Sequence, residues 1–282
     1  MNQVLKGFTE APPDFALLAE LWPIAQAPNS GLNDLANLIE ESATLSAALI
    51  RVSNSAYYGS TTQIDTLAGA LRRLGFNETI KVAALSTHRS FLQESLEVYG
   101  TTVEEVFDEA LAVGLLMEFL AHEADVDPAT AYVCGLVHGI GRFPVARLLS
   151  KIKPNARAPQ VMDFTRLARW EREEIGFDHA KLGGLMLDQW GFPSNIVETV
   201  GSHLHPGLGA ANKRLSSLLF VCRRLLPCVL HPAHYTLDQI DLPLTTLNFA
   251  NTRRMDISAC LPSVIAWHKN TRAIVEAEVL SA

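Results

Sequence analysis

Leu35-Ala36-Asn37-Leu38-Ile39-Glu40-Glu41-Ser42-Ala43-Thr44-Leu45-Ser46-Ala47-Ala48-Leu49-Ile50-Arg51-Val52-Ser53-Asn54-Ser55-Ala56-Tyr57-Tyr58-Gly59 carries a helical pattern of apolar residues. Leu35, Leu38, Ile39, Leu45, Ala48 and Leu49 recur at the three- and four-residue spacing that puts apolar groups on one face of a helix. Pro28 and Gly31 punctuate the chain just before, which makes Asn33 the expected N-cap. At the far end Asn54 and Ser55 are expected to close the helix by hydrogen bonding to backbone.

Outward from this block the same period continues and no strand pattern interrupts it. Residues 66–75 and 78–92 read as two helices broken at Gly75-Phe76-Asn77. From Thr102, a good N-cap, Val103, Val106, Phe107, Leu111, Leu115 and Phe119 mark a long amphipathic helix. Asp127 caps the next helix, which leads through Tyr132, Val133, Leu136 and Val137 to His138. Lys151 to Pro159 reads as a loop, followed by helices at 160–174, 178–190 and 194–202. The expectation is an all-α protein of two lobes, with a soft boundary at Tyr99-Gly100-Thr101-Thr102. Residues 1–100 form an N-terminal helical bundle and 101–282 the second helical lobe.

Composition narrows the function classes. The 282 residues carry a formal charge of -7, which argues against a phosphate-backbone binder, because such affinity rests on clustered Lys and Arg. No run free of Asp, Glu, Lys and Arg exceeds fourteen residues, short of the roughly 20 apolar residues of a membrane span. Met1 to Glu10 shows no apolar signal core, so a cytoplasmic protein with no membrane or nucleic-acid partner is expected. Cys134, Cys222, Cys228 and Cys260 make no CxxC pair and read as reduced, buried thiols.

Several stretches together resemble the HDOD family, the HD-related output domains of bacterial signalling proteins. They are Ala11-Pro12-Pro13-Asp14-Phe15-Ala16-Leu17, the opening block above, Ala70-Leu71-Arg72-Arg73-Leu74-Gly75, the turn Gly135-Leu136-Val137-His138-Gly139-Ile140-Gly141-Arg142, and Gly176-Phe177-Asp178-His179-Ala180-Lys181-Leu182-Gly183-Gly184-Leu185-Met186-Leu187-Asp188-Gln189-Trp190-Gly191-Phe192-Pro193. In metal-dependent HD phosphohydrolases the turn reads apolar-apolar-His-Asp-Ile-Gly, and the His-Asp pair binds metal. The resemblance therefore implies a degenerate HD-like second lobe, since Gly139 stands where the aspartate would be. Of the other inherited ligands, the first His would fall at Glu109 and the distant Asp nearest Cys222. A hard, water-activating cation needs carboxylates, so the resemblance implies no catalytic residue, no resident metal and no cofactor.

His179 corresponds to a ligand position in some two-metal HD relatives, and His203 falls where family members carry a histidine-rich stretch. Glu109, His138, His179 and His203 could converge in one cleft. Three uses stay open there: a transition-metal site, a hydrogen-bonded remnant, or a pocket for an anionic small molecule. Arg166, Arg169 and Arg172 are interspersed with Glu171, Glu173 and Glu174, and read as a solvated, salt-bridged helix. Tyr57 and Tyr58 are candidate partner contacts, set against simple burial between helices. No GxSxG elbow, phosphate loop or dinucleotide fingerprint occurs. The resemblance implies a non-enzymatic signalling module with a protein partner acting in trans, input arriving through that partner or through a small-molecule ligand. The alternative is a divergent phosphohydrolase acting on a nucleotide or phosphoester.

Overall fold

The computed structural model describes residues 8, 10–27, 29–55, 58, 62–91, 96–159, 164–206 and 212–279. Among them there is no strand, and the chain is all-α, as the helical period requires. It divides into two compact units: Ala11–Phe91 with Lys269–Ala282, and Met1–Glu10 with Leu92–His268.

In the smaller unit, α1 (Pro13–Gln26) starts with proline at its first position, where a missing N–H costs nothing. It buries Phe15, Leu18, Leu21 and Trp22. The opening block forms two helices, α2 (Leu32–Ile39) and α3 (Ala43–Ser53), where one continuous run is expected. Ser42 breaks it: its hydroxyl accepts the Leu45 amide at 3.1 Å, which starts a new helix. Asn33 is not the cap of α2. That position is Gly31, whose amide donates to the Asp34 carboxylate at 2.8 Å. Next come α4 (Leu67–Leu74) and α5 (Phe76–Phe91), with α1 packed on α2 and α5, and α3 packed on α4 and α5.

Asn54 does close α3, and it does more than that. Its amide donates to the carbonyls of Ile50 at 3.0 Å and Ile64 at 2.7 Å, and its oxygen accepts the Ile64 amide at 2.8 Å. Arg73 joins the same turn by donating to the Ser53 and Thr62 carbonyls. The distinctive block is thus a hydrogen-bonded staple between α3 and the loop leading to α4. Asn54→Ala is expected to destabilise this unit by about 2–3 kcal/mol, because it leaves several part-buried backbone groups unpaired at once. Urea denaturation measures this, and a loss under about 0.5 kcal/mol would contradict the staple.

The larger unit begins with a 3-10 turn, Glu97–Tyr99. The boundary expected near residue 100 falls earlier, between Phe91 and Leu92. The Tyr99 hydroxyl, donating to Glu171 at 2.7 Å, ties this turn to the larger unit. Helix α6 (Val103–Ala124) carries a reciprocal Thr102/Glu105 cap, and α7 (Pro128–Val137) is capped by Asp127. These two pack backbone to backbone, since a Cβ on Gly135 would lie 2.6 Å from the Gly114 Cα. Following them are α8 (Arg142–Ile152), α9 (Phe164–Ile175), α10 (His179–Gln189), α11 (Ser194–Ser202), α12 (Lys213–Leu230), α13 (Leu244–Ala250) and α14 (Arg254–Val279). Helix α14 runs on past His268, and its residues from Lys269 count with the smaller unit. No helix among the described residues is long and apolar enough to cross a membrane.

Candidate functional site

Helices α6 to α12 bring Glu109, His138, His179 and His203 together in the larger unit. Close backbone approaches set the geometry. A Cβ on Gly141 would sit 2.0 Å from the His179 carbonyl oxygen, and one on Gly184 would sit 2.8 Å from the Gly201 Cα. The start of α8 is therefore pressed on the start of α10, and α10 on α11. Gly139 differs, because a Cβ there meets only the Arg142 Nε at 3.9 Å. Gly139→Ala is expected to stay within about 1 kcal/mol of the parent, whereas Gly141→Ala should cost about 3 kcal/mol or more. Thermal unfolding of the two variants measures the contrast, and equal midpoints would contradict it.

His138 closes α7, and both its ring nitrogens are engaged. Nδ1 lies 2.6 Å from the Gly135 carbonyl, which only accepts, so Nδ1 carries the proton. Nε2 must then be the acceptor, and Arg223 Nη1 donates to it at 3.0 Å. The same Arg223 nitrogen reaches Glu109 Oε2 at 3.3 Å, and Arg142 Nη1 reaches that oxygen at 2.8 Å. The guanidinium carbon of Arg223 also lies 4.9 Å from the Phe164 ring centroid. Phe164 belongs to a small apolar cluster with Ala168, Ala180, Leu204 and Phe220 beside the site.

The other half is built on Glu171. One carboxylate oxygen accepts the Tyr99 hydroxyl at 2.7 Å, and the other accepts the His179 amide at 2.8 Å and its Nδ1–H at 2.7 Å. His203 donates Nδ1–H to the Val200 carbonyl at 2.7 Å. Its ring stands between the other two, with centroids 5.8 Å from His138 and 5.9 Å from His179. Glu171, His179 and His203 are wholly buried, and His138, Arg142 and Arg223 nearly so. The Glu109 side chain is 24% exposed. Within this cluster four buried atoms have no partner among the described residues: Nε2 of His179, Nε2 of His203, and Nε of Arg142 and Arg223.

The charges follow from these contacts. Burial, reinforced by the Arg223 charge, pushes the His138 imidazole well below its usual pKa, so it is neutral. Burial and then the neighbouring His179 do the same to His203. For Glu109 burial works upward, but the Arg142 and Arg223 guanidiniums outweigh it and hold the carboxyl below its usual range. Burial and the charge of Arg142 bring Arg223 down to about 10, so it stays cationic at neutral pH.

This donor set does not fit the metal centre of an HD phosphohydrolase. A metal would need the Nε2 lone pair of His138 and the Glu109 carboxylate, and Arg223 is bonded to both. Gly139 offers no side-chain oxygen, and Glu171 already accepts three donors. Two bare imidazole nitrogens remain, without the carboxylates that hard, water-activating cations require. A fixed organic cation stands where an inorganic one would.

Cys222 is not the residue that reaches this cluster from α12. It is fully buried, with its thiol raised by burial and by Cys260, and the adjacent Arg223 enters the site instead. Reading Glu171 as part of a solvated face is also corrected, because it is fully buried at the site's centre. On that helix Arg172 does pair with Asp178 at 2.5 Å, and Glu174 pairs with Lys153 at 2.7 Å. Tyr58 is half-buried, and its hydroxyl donates to Glu78 at 2.9 Å. Tyr57 lies outside the described residues.

A family model described as the HDOD domain matches residues 12–206, well over half of the sequence. The chain belongs to the HDOD family. An HDOD protein of unknown function from Geobacter sulfurreducens has the same fold, with 14% identity, a TM-score of 0.66, and coverage of 92% of this chain and 91% of that one. A Marinobacter aquaeolei structure with a provisional signal-transduction name matches at 17% identity and a TM-score of 0.68, covering 93% of this chain and 58% of that one. A Shewanella amazonensis structure provisionally named a phosphohydrolase gives 18% identity and a TM-score of 0.59, covering 88% and 93%. At these identities the likeness is one of fold. An uncharacterised Treponema pallidum protein is 24% identical over 197 residues, which are 66% of this chain and 36% of that protein. The HDOD chain thus spans about a third of that relative. Within the HDOD match lie the opening block, the His138 turn, His179 and His203, whereas Arg223 comes after its end.

Proposed function

We propose that this HDOD chain is a non-enzymatic signal-transduction module that works by contact with a protein partner, its HD-type cleft kept as structure. One observation carries the reading: Arg223 joins Glu109 and His138, engaging the side chains a catalytic metal would use. A reaction that depends on a metal-activated water has no supporting ligand set here. The signal-transduction name of the Marinobacter relative points the same way.

The competing phosphohydrolase reading is separated by turnover. With added Mg²⁺, Mn²⁺ or Fe²⁺, the protein is expected to leave phosphomonoesters, cyclic dinucleotides and nucleoside triphosphates unhydrolysed. A metal-dependent rate that disappears in His138→Ala would overturn the proposal. A second reading, a small-molecule sensor using the old cleft, is favoured by the unpartnered Nε2 atoms of His179 and His203. A ligand that stabilises the wild type and fails to stabilise His203→Leu would establish it.

A further inference from the structure

Two side chains of the larger unit converge on Phe8, far from it in sequence. The Trp190 indole Nε1–H donates to the Phe8 carbonyl at 2.9 Å, and the Arg147 guanidinium carbon lies 5.4 Å from the Phe8 ring centroid. Phe8 is 8% exposed, while Glu10 is out in solvent. The first contact reads a backbone carbonyl, which any peptide offers, and the second reads an aromatic face, which few residues offer. Main-chain hydrogen bonding joined to a selective side-chain contact is one way folded domains recognise peptide segments. We infer that the Trp190–Arg147 surface is a peptide-docking site, held in cis by Phe8 and open to a partner segment that presents phenylalanine. This rests on the protein-contact reading proposed above and gives it a surface.

Phe8 counts with the larger unit, whereas the chain from Ala11 onward counts with the smaller one. Ala11-Pro12 leads into α1, which opens on Pro13; neither proline has an N–H, and Pro12 holds an extended backbone. Trp190 ends α10 and is followed by Gly191 at φ 78°, a left-handed turn that suits glycine. Arg147 lies on α8, packed against α10. Those two helices also deliver Arg142 and His179 to the buried cluster. The dock and the buried cluster thus share two helices.

The test uses the full chain carrying Phe8→Ala and a fluorescein-labelled synthetic peptide with the sequence of residues 2–12, followed by anisotropy. The variant should bind the peptide at least about tenfold more tightly than the wild type, whose own Phe8 competes at high effective concentration. Replacing the peptide's phenylalanine with alanine should abolish binding. Adding Trp190→Phe to Phe8→Ala should weaken it by about fivefold or more, as befits one lost hydrogen bond. Equal binding by wild type and variant, no binding by a folded variant, or undiminished binding of the alanine peptide would each overturn the inference. If circular dichroism shows that Phe8→Ala does not fold, hydrogen exchange of the wild type decides instead. Excess peptide should speed exchange around Phe8, and an unchanged rate would overturn the inference. Failure here with no metal-dependent turnover leaves the non-enzymatic reading standing, whereas turnover removes that reading without touching peptide binding.

Discussion

Glu171→Ala is expected to cost the larger unit about 3–5 kcal/mol, the effect of deleting one member of a buried charged network. Three donors end on this carboxylate: the Tyr99 hydroxyl, the His179 amide and the His179 ring. Glu171 is wholly buried, so each would lose its acceptor inside the protein. The residue also joins the 3-10 turn at Tyr99 to the start of α10, so both elements lose an anchor together. Glu171→Gln keeps one acceptor oxygen and turns an NH₂ group toward donors, and should cost about half as much. Urea denaturation gives both values. A loss under about 1 kcal/mol for the alanine variant would mean that the carboxylate is not the hub.

Acid is expected to unfold the protein steeply, beginning near pH 6.5, well above the range in which carboxylates protonate. Burial and the adjacent Arg89 lower His88 to about 3, and burial lowers His138 and His203 well below the usual value. Below about pH 6.5 the unfolded chain takes up protons on these rings that the folded chain refuses. The stabilisation is thus complete above that pH and is lost as pH falls toward the folded values. Each such histidine contributes a slope of about 1.4 kcal/mol per pH unit. The larger unit, with two of them, should lose about 3 kcal/mol by pH 5.5, and the smaller unit about half that. Glu109, also lowered, adds its own loss below its ordinary value of 4.5. His138→Gln can still donate to Gly135 and accept from Arg223, so it should reduce the larger unit's slope by about one proton. Stability unchanged between pH 7 and 5.5 would contradict the neutral, buried assignment of these rings.

The helices were legible because the apolar period is strong and the caps are ordinary. Thr102, Asp127 and Asp178 all start helices where their side chains say they should. The break at Ser42 was hidden by apolar residues that continue the period on both sides, so only the serine's local hydrogen bond reveals it. In the site, the histidines could be found because family motifs carry them. Arg142, Arg223 and Tyr99 went unassigned, and Glu171, set in a run of charged residues, reads as solvated. Periodicity held the missing signal for Glu171: it lies three and seven residues from Ala168 and Phe164, on the buried face of α9. Arg223 likewise follows Leu219 by four residues on an otherwise apolar face of α12. A charge at a core position of a helix calls for buried partners: Glu109 meets Arg223, and three hydrogen-bond donors meet Glu171.

In the proposed reading the Arg223 guanidinium takes the place of the metal in a relic HD centre. Elemental analysis of the purified wild-type protein, after incubation with Mn²⁺, Fe²⁺ and Zn²⁺ and removal of free metal, should then find far less than one metal ion per chain, as it should for His138→Ala. One ion per wild-type chain, absent from His138→Ala, would contradict this reading.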